Sequence, residues 1–210
     1  MRNETDKRER RSAAPAPRPF PHSGSPDWRS DAELAGVVLA GGRSRRFGRD
    51  KTGLLFPGRA EDVRGERTLL LHAAGVLERL LGDPARVYIS CRPPEDDGQG
   101  ARIRREAGEH GYGIVEDIFP GDGTLRAVYS ALERTRRSCL VIPCDLPCMD
   151  EATLGELLAF RERNLRTGGK SLCSCFFDTV YGATQPLVAV YEAEALALFR
   201  EAVEAGRYKL

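Results

Sequence analysis

Several things are scarce or missing in this 210-residue chain, and each absence removes a class of protein. There is no surplus of charge: 32 Lys and Arg stand against 31 Asp and Glu, a net charge of +1. A protein that holds duplex nucleic acid through its phosphates needs an excess of cations, so nucleic acid is not an expected partner. No apolar run approaches the roughly 18 residues of a membrane span, so no membrane partner is expected. Histidine is limited to His22, His72 and His110. No Cys-x-x-Cys pair occurs, and Cys144-x3-Cys148 and Cys173-x-Cys175 lack the spacing of a zinc knuckle. The residues Met1–Glu9 carry charges of both signs with no apolar stretch behind them, unlike a secretory leader, and Glu4, Asp6 and Glu9 break the acid-poor pattern of a mitochondrial presequence. The six cysteines, Cys91, Cys139, Cys144, Cys148, Cys173 and Cys175, lie in or beside apolar runs. They read as reduced, packed thiols of a cytoplasmic protein.

What is present has ordinary globular proportions. With glycine counted and tyrosine left out, the apolar class makes up about half the chain, enough to bury a core in one domain. Met1–Leu34 stands apart, rich in Arg, Ser, Ala and Pro with few apolar anchors. It is expected to be a disordered tail. From Gly36 onward, short β-branched runs alternate with helical patterns. Strands are predicted at Gly36–Ala40, Arg86–Ser90, Gly113–Asp117, Cys139–Pro143, Ser171–Phe177 and Pro186–Glu192. Helices are predicted at Thr68–Leu80, Leu125–Thr135, Glu151–Asn164 and Ala193–Ala205, and Glu95–Glu109 is a loop or an exposed helix. This alternation defines an α/β fold: a Rossmann-like, open, mostly parallel sheet flanked by helices. In such sheets ligands bind beyond the carboxyl ends of the strands. That rule selects Gly41–Lys51, the segment from Cys91, Asp117–Thr124 and Cys144–Pro147.

The strongest signal is LAGGRSRRFGRDK, Leu39–Lys51. Glycines directly after a buried strand let bare N–H groups approach an anion. Arg43, Arg45, Arg46, Arg49 and Lys51 place five cations within nine residues, a density suited to a polyphosphate. The spacing is neither a Walker A loop nor a dinucleotide GxGxxG. Asp145 follows the fourth apolar strand between Pro143 and Pro147. A lone carboxylate there suits Mg2+, which binds one or two carboxylates and completes its shell with phosphate oxygens and water. An Asx turn, or a cap for the helix before Glu151, is the competing reading of the same residue.

LAGGxSxRxGxDK resembles the signature of the molybdenum cofactor guanylyltransferase (MobA) family and its nucleotidyltransferase relatives, with Phe47 where the family usually has methionine. The resemblance continues through IVED at Ile114–Asp117, the GTL stretch at Gly123, CDLP at Cys144–Pro147 and QPLVAVY at Gln185–Tyr191. It implies a nucleotidyltransferase fold over residues 35–210, GTP and molybdopterin as substrates, and Mg2+ as cofactor. Carriers or acceptor enzymes of the molybdenum cofactor are implied as partners. The reaction implied is transfer of GMP from GTP to molybdopterin with release of pyrophosphate. By the same resemblance Leu39, Ala40, Gly41, Gly42, Lys51, Ser90, Asp117 and Asp145 bind the nucleotide. Lys51, Arg46 and Asp145 are the catalytic set, and Asp145 is the metal ligand.

Two departures from the family pattern keep other readings open. GPLAG becomes GTLRA at Gly123–Ala127, with Arg126 expected as a displaced surface arginine and a new phosphate contact as the other reading. An Asn-Thr-Pro segment, usual a few dozen residues further on, does not appear before GRYKL at Gly206–Leu210, so the domain is expected to lack its usual C-terminal segment. A related transferase using CTP or a sugar phosphate is one alternative, and a catalytically silent nucleotide-binding accessory protein is the other.

Overall fold

The computed structural model describes residues 34–42, 50–56, 67–94, 98–119 and 123–210. Its centre is the buried strand β1 (Leu34–Leu39), in which Ala35, Val37 and Val38 are fully buried. Leu34, expected at the end of the tail, opens this strand; the rest of the expected tail lies outside the described residues. Strand β4 (Val87–Cys91) pairs parallel with β1 on one side, Gly36 opposite Val87 and Leu39 opposite Ser90. Strand β6 (Ser138–Pro143) pairs parallel with it on the other, Leu34 opposite Ser138. Strand β5 (Gly113–Glu116) lies parallel beyond β4. Strand β8 (Ala183–Tyr191) runs antiparallel to β6, and β7 (Cys173–Asp178) antiparallel to β8, giving the order β5-β4-β1-β6-β8-β7. The expected open, mostly parallel sheet is therefore present. The two-residue strands β2 (Leu55–Phe56) and β3 (Arg67–Thr68) form a separate ribbon, too short to leave a period in the sequence.

Alternation along the strands sends side chains to two cores. Val38, Leu140, Ile142 and Val190 meet Leu70 and Leu77 of α1 (Leu69–Leu81), Ile103 of α2 (Gly98–Glu109) and Leu154 and Leu158 of α4 (Glu151–Arg166). Val37, Val141 and Ala189 face Val128 and Leu132 of α3 (Thr124–Thr135) and Ala195 of α5 (Ala195–Glu204). Glu95–Glu109, left open between loop and helix, is helical from Gly98 because Ile103 and Ala107 bury a narrow apolar face. β8 starts three residues before its expected position: Asp178 pairs with Ala183 in a hairpin that extends past Pro186. Proline has no N–H for the ladder, and the pairing jumps from Cys175–Ala189 to Phe176–Gln185 around it.

The chain builds β1, β4 and β5 outward in one direction and then returns to lay β6 on the opposite side of β1. The crevice at the carboxyl ends of β1 and β6 is therefore the point where the strand order reverses, the place where open α/β sheets bind ligands. All six cysteines are free. Cys91, Cys139 and Cys144 are buried as expected, but Cys148 and Cys173 are exposed, one in the turn after β6 and the other on the edge strand. No helix among the described residues is long and apolar enough to cross a membrane.

Candidate active site at the strand-order reversal

Backbone hydrogen bonds carry the sheet into the site. Ala40 N donates to Ser90 O at 2.8 Å, Cys144 N to Leu39 O at 3.3 Å, and Asp117 N to Cys91 O at 3.1 Å. The ends of β1, β4, β5 and β6 are thus tied into one floor. Leu39 and Ala40 belong to that floor, while Gly41 is half-buried and Gly42 exposed. Neither glycine takes a left-handed conformation. Among the described residues a Cβ built on Gly42 would meet nothing within 4 Å, so none of them requires glycine there; an approaching ligand would.

Lys51 and Asp145 meet across the reversal point. Lys51 Nζ lies 3.1 Å from Asp145 Oδ2, although the two are 94 positions apart in sequence, and the side chains are 38% and 42% exposed. Pairs this exposed contribute about 0–1 kcal/mol, so the fold does not depend on this one. Asp145 is not the helix cap: α4 is capped by Asp150, whose side chain accepts from Thr153 N. Of the two readings of Asp145, the structure removes the helix cap.

Asp50, which sequence reasoning passed over, is the most heavily bonded carboxylate of the site. It accepts from Thr52 N at 2.9 Å, Thr52 Oγ1 at 2.6 Å, Gln99 Nε2 at 2.9 Å and Arg102 Nη2 at 2.7 Å. Burial pushes its carboxyl up, but the hydrogen bonds from Thr52 and Arg102 outweigh that and hold it below the ordinary carboxylate value. Its place in the RDK string beside Lys51 was the one available signal.

The remaining expected residues are placed as follows. Ser90 is 1% exposed, and it bonds the loop through its carbonyl. Asp117 stands just past β5 with Oδ1 buried and without a hydrogen-bond partner among the described residues. Burial raises its pKa, against the pull of Arg126 and Arg92. Arg126 is 1% exposed, which corrects the expectation of a surface arginine. Its Nη1 donates to Phe119 O at 3.1 Å, and its guanidinium lies 5.0 Å from the centre of the Tyr208 ring. Arg126 packs inward because the chain after α5 returns to α3, where Leu125 N donates to Tyr208 O at 3.2 Å; local sequence carried no sign of that. Arg46 and the other loop arginines lie outside the described residues.

An open α/β sheet with a glycine-rich segment, a lysine and a carboxylate converging where its strand order reverses defines the class of nucleotide-handling α/β enzymes. The comparisons narrow it further. Residues 36–209 match the MobA-like NTP transferase domain, and the chain belongs to that family. A probable molybdenum cofactor guanylyltransferase from Bacillus licheniformis is 27% identical over 182 residues, covering 83% of this chain and 76% of the relative. One of the same description from Chloroflexus aggregans is 32% identical over 178 residues, covering 84% and 74%. Among solved structures, molybdopterin-guanine dinucleotide biosynthesis protein A from Archaeoglobus fulgidus superposes with a TM-score of 0.57 over 83% of this chain and 75% of that one. At 21% identity, that likeness speaks for the fold.

Proposed function

We propose that this chain is a guanylyltransferase that moves GMP from GTP to molybdopterin and releases pyrophosphate. The observation that carries the reading is the pairing of Lys51 with Asp145 at 3.1 Å in the crevice of a MobA-like NTP transferase fold. The descriptions of the Bacillus and Chloroflexus relatives support guanine and the pterin as the substrates.

The terminal phosphate of molybdopterin is already ionised at neutral pH. One of its oxygens attacks the α-phosphorus of GTP; that P–O bond forms as the bond from the α-phosphorus to the bridging oxygen breaks, and the electron pair leaves with pyrophosphate. No strong general base is required. His72 packs against Phe56 and His110 bonds the Glu106 carbonyl, so neither is committed to the crevice. Catalysis then rests on alignment and charge. The amides of Gly41 and Gly42 would cradle the phosphates, since the Ala40 N–H, expected to join them, is taken by Ser90 O. Lys51, with Arg46, would offset charge on the β- and γ-phosphates as it leaves with pyrophosphate. Asp117, whose Oδ1 has no partner among the described residues, would accept from the base or the ribose.

The donor set fits Mg2+ shared with a substrate. Among the described residues no three His, Cys, Asp or Glu side chains cluster as a protein cage would require. Asp145 instead offers a part-exposed carboxylate, leaving the other positions to phosphate and water. When bound, Mg2+ would neutralise oxygens about the α-phosphate, and Asp145 is the residue that would hold it. The test is pyrophosphate release by the purified chain with GTP, Mg2+ and molybdopterin. Turnover that needs all three is expected; GTP binding without turnover would leave the silent accessory protein as the better reading.

A further inference from the structure

One helix holds both ends of the glycine-rich segment. At its far end, Arg102 of α2 donates Nη2 to Asp50 Oδ2 at 2.7 Å and also bonds Thr52 Oγ1, while its Nη1 donates to Glu106 Oε1 at 2.6 Å. Gln99, on the same helix, donates to Asp50 Oδ1 at 2.9 Å. At the near end, Arg104 donates to Arg92 O at 2.9 Å, and Arg92 Nε donates to Gly41 O at 2.8 Å. Glu106 is itself held, accepting from Thr68 Oγ1 at 2.9 Å at the start of α1. Gly53 leaves room for the guanidinium: a Cβ there would stand 3.1 Å from Arg102 Cζ.

Asp50 and Thr52 flank Lys51, and both are bonded to Arg102. Thr52 is also buried, at 3% exposure. The backbone from which Lys51 projects is therefore fastened on both sides, and the fastener is a planar, forked cation that satisfies Asp50, Thr52 and Glu106 together. A lysine at position 102 has a single ammonium and cannot reproduce that fork.

We propose that Arg102 is a positioning residue for Lys51, acting through Asp50 and Thr52 to set where the Lys51 ammonium stands opposite Asp145. This rests on the reading that Lys51 meets the phosphates of a nucleoside triphosphate. Helix α2 then belongs to the triphosphate site through its bonds to Asp50 and Thr52.

The test is a cycle of Arg102→Gln and Lys51→Ala in the full chain, read by pyrophosphate release and by labelling. Displacing a charged group by an ångström through a remote change costs up to about 100-fold in rate, so R102Q is expected to lower kcat toward that limit and to move the KM for GTP much less. In the K51A background the same substitution is expected to cost nothing further. Losses that multiply would overturn the proposal. If R102Q folds poorly, R102K carries the same cycle, with a smaller loss that again vanishes in K51A. Independently of any nucleotide, R102Q should raise acetylation of Lys51 by an active ester several-fold relative to the exposed Lys170, read by mass spectrometry; an unchanged ratio overturns the positioning role. If no triphosphate binds or turns over, the reading of the site fails, and the labelling still decides whether Arg102 places Lys51.

Discussion

Asp150 Oδ1 accepts the Thr153 N–H at 2.8 Å, so the first turn of α4 is satisfied five positions beyond Asp145. The two aspartates of this short segment therefore divide their work. One closes a helix, and the other faces Lys51 in the crevice. A cap is expected to matter to stability and a crevice carboxylate to rate.

The Asp145→Ala variant is expected to lose about 100- to 1000-fold in transfer, the usual cost of one electrostatic contact to the reacting phosphates. It should lose no more than about 1 kcal/mol of stability, because the ion pair it breaks is exposed. Asp150→Ala should do the reverse, losing about 1 kcal/mol as a missing N-cap does and keeping near-normal turnover. Thermal melts followed by circular dichroism, together with pyrophosphate release, separate the two. An Asp145→Ala protein with wild-type turnover would remove the metal assignment.

Gly42→Ala tests whether a ligand approaches the loop. Among the described residues the added methyl has nothing within 4 Å, so the melting temperature should stay within a degree or two of wild type. Nucleotide affinity should fall roughly tenfold, the equivalent of about 1.4 kcal/mol of weakened phosphate contact. Titration calorimetry reads this directly, and unchanged affinity would mean that the phosphates lie elsewhere.

Guanine selectivity is read by ligand protection. At a hundredfold excess over its dissociation constant a ligand adds about 2.7 kcal/mol of apparent stability. GTP with Mg2+ is expected to raise the melting temperature and CTP to do so weakly at the same concentration. Equal protection by the two would undercut the guanine assignment, and stronger protection by CTP would favour the cytidylyl alternative.

Asp50 should leave a mark in acid. Its carboxyl is held below the ordinary value of 3.8, so the folded state binds that proton less readily than the unfolded chain. The resulting stability is present above the ordinary value and is lost as pH falls through the lowered one. Wild type should therefore exceed Asp50→Asn in melting temperature by a constant margin at neutral pH, and the margin should shrink below about pH 4. A margin independent of pH would mean that the Arg102 and Thr52 contacts do not favour the charged carboxylate.

Thiol chemistry separates the cysteines by environment. Burial pushes Cys91 up to about 11 and Cys139 and Cys144 up to about 12, whereas Cys148 is exposed. Since the thiolate is the reactive form, iodoacetamide at neutral pH should modify Cys148 well before those three in folded protein. Mass spectrometry of timed samples checks the order.

Much of this molecule could be read from neighbouring residues alone. Strands such as GVVLA and CLVIP declare themselves because a strand buried on both faces needs an unbroken apolar run, and Leu39–Lys51 declares itself because glycines and cations crowd one strand end. Asp145 was legible for the same reason, standing where a strand must stop. Those features depend on contacts within a few positions, which linear sequence records. Only the folded chain decided that Asp145 faces Lys51 and not a helix end, that Arg126 turns inward beneath Tyr208, and that Arg102 fastens the segment on either side of Lys51. Those outcomes join residues that lie 94, 82 and 52 positions apart, where side chains meet only after the sheet has chosen its strand order and the helices have closed on its two faces.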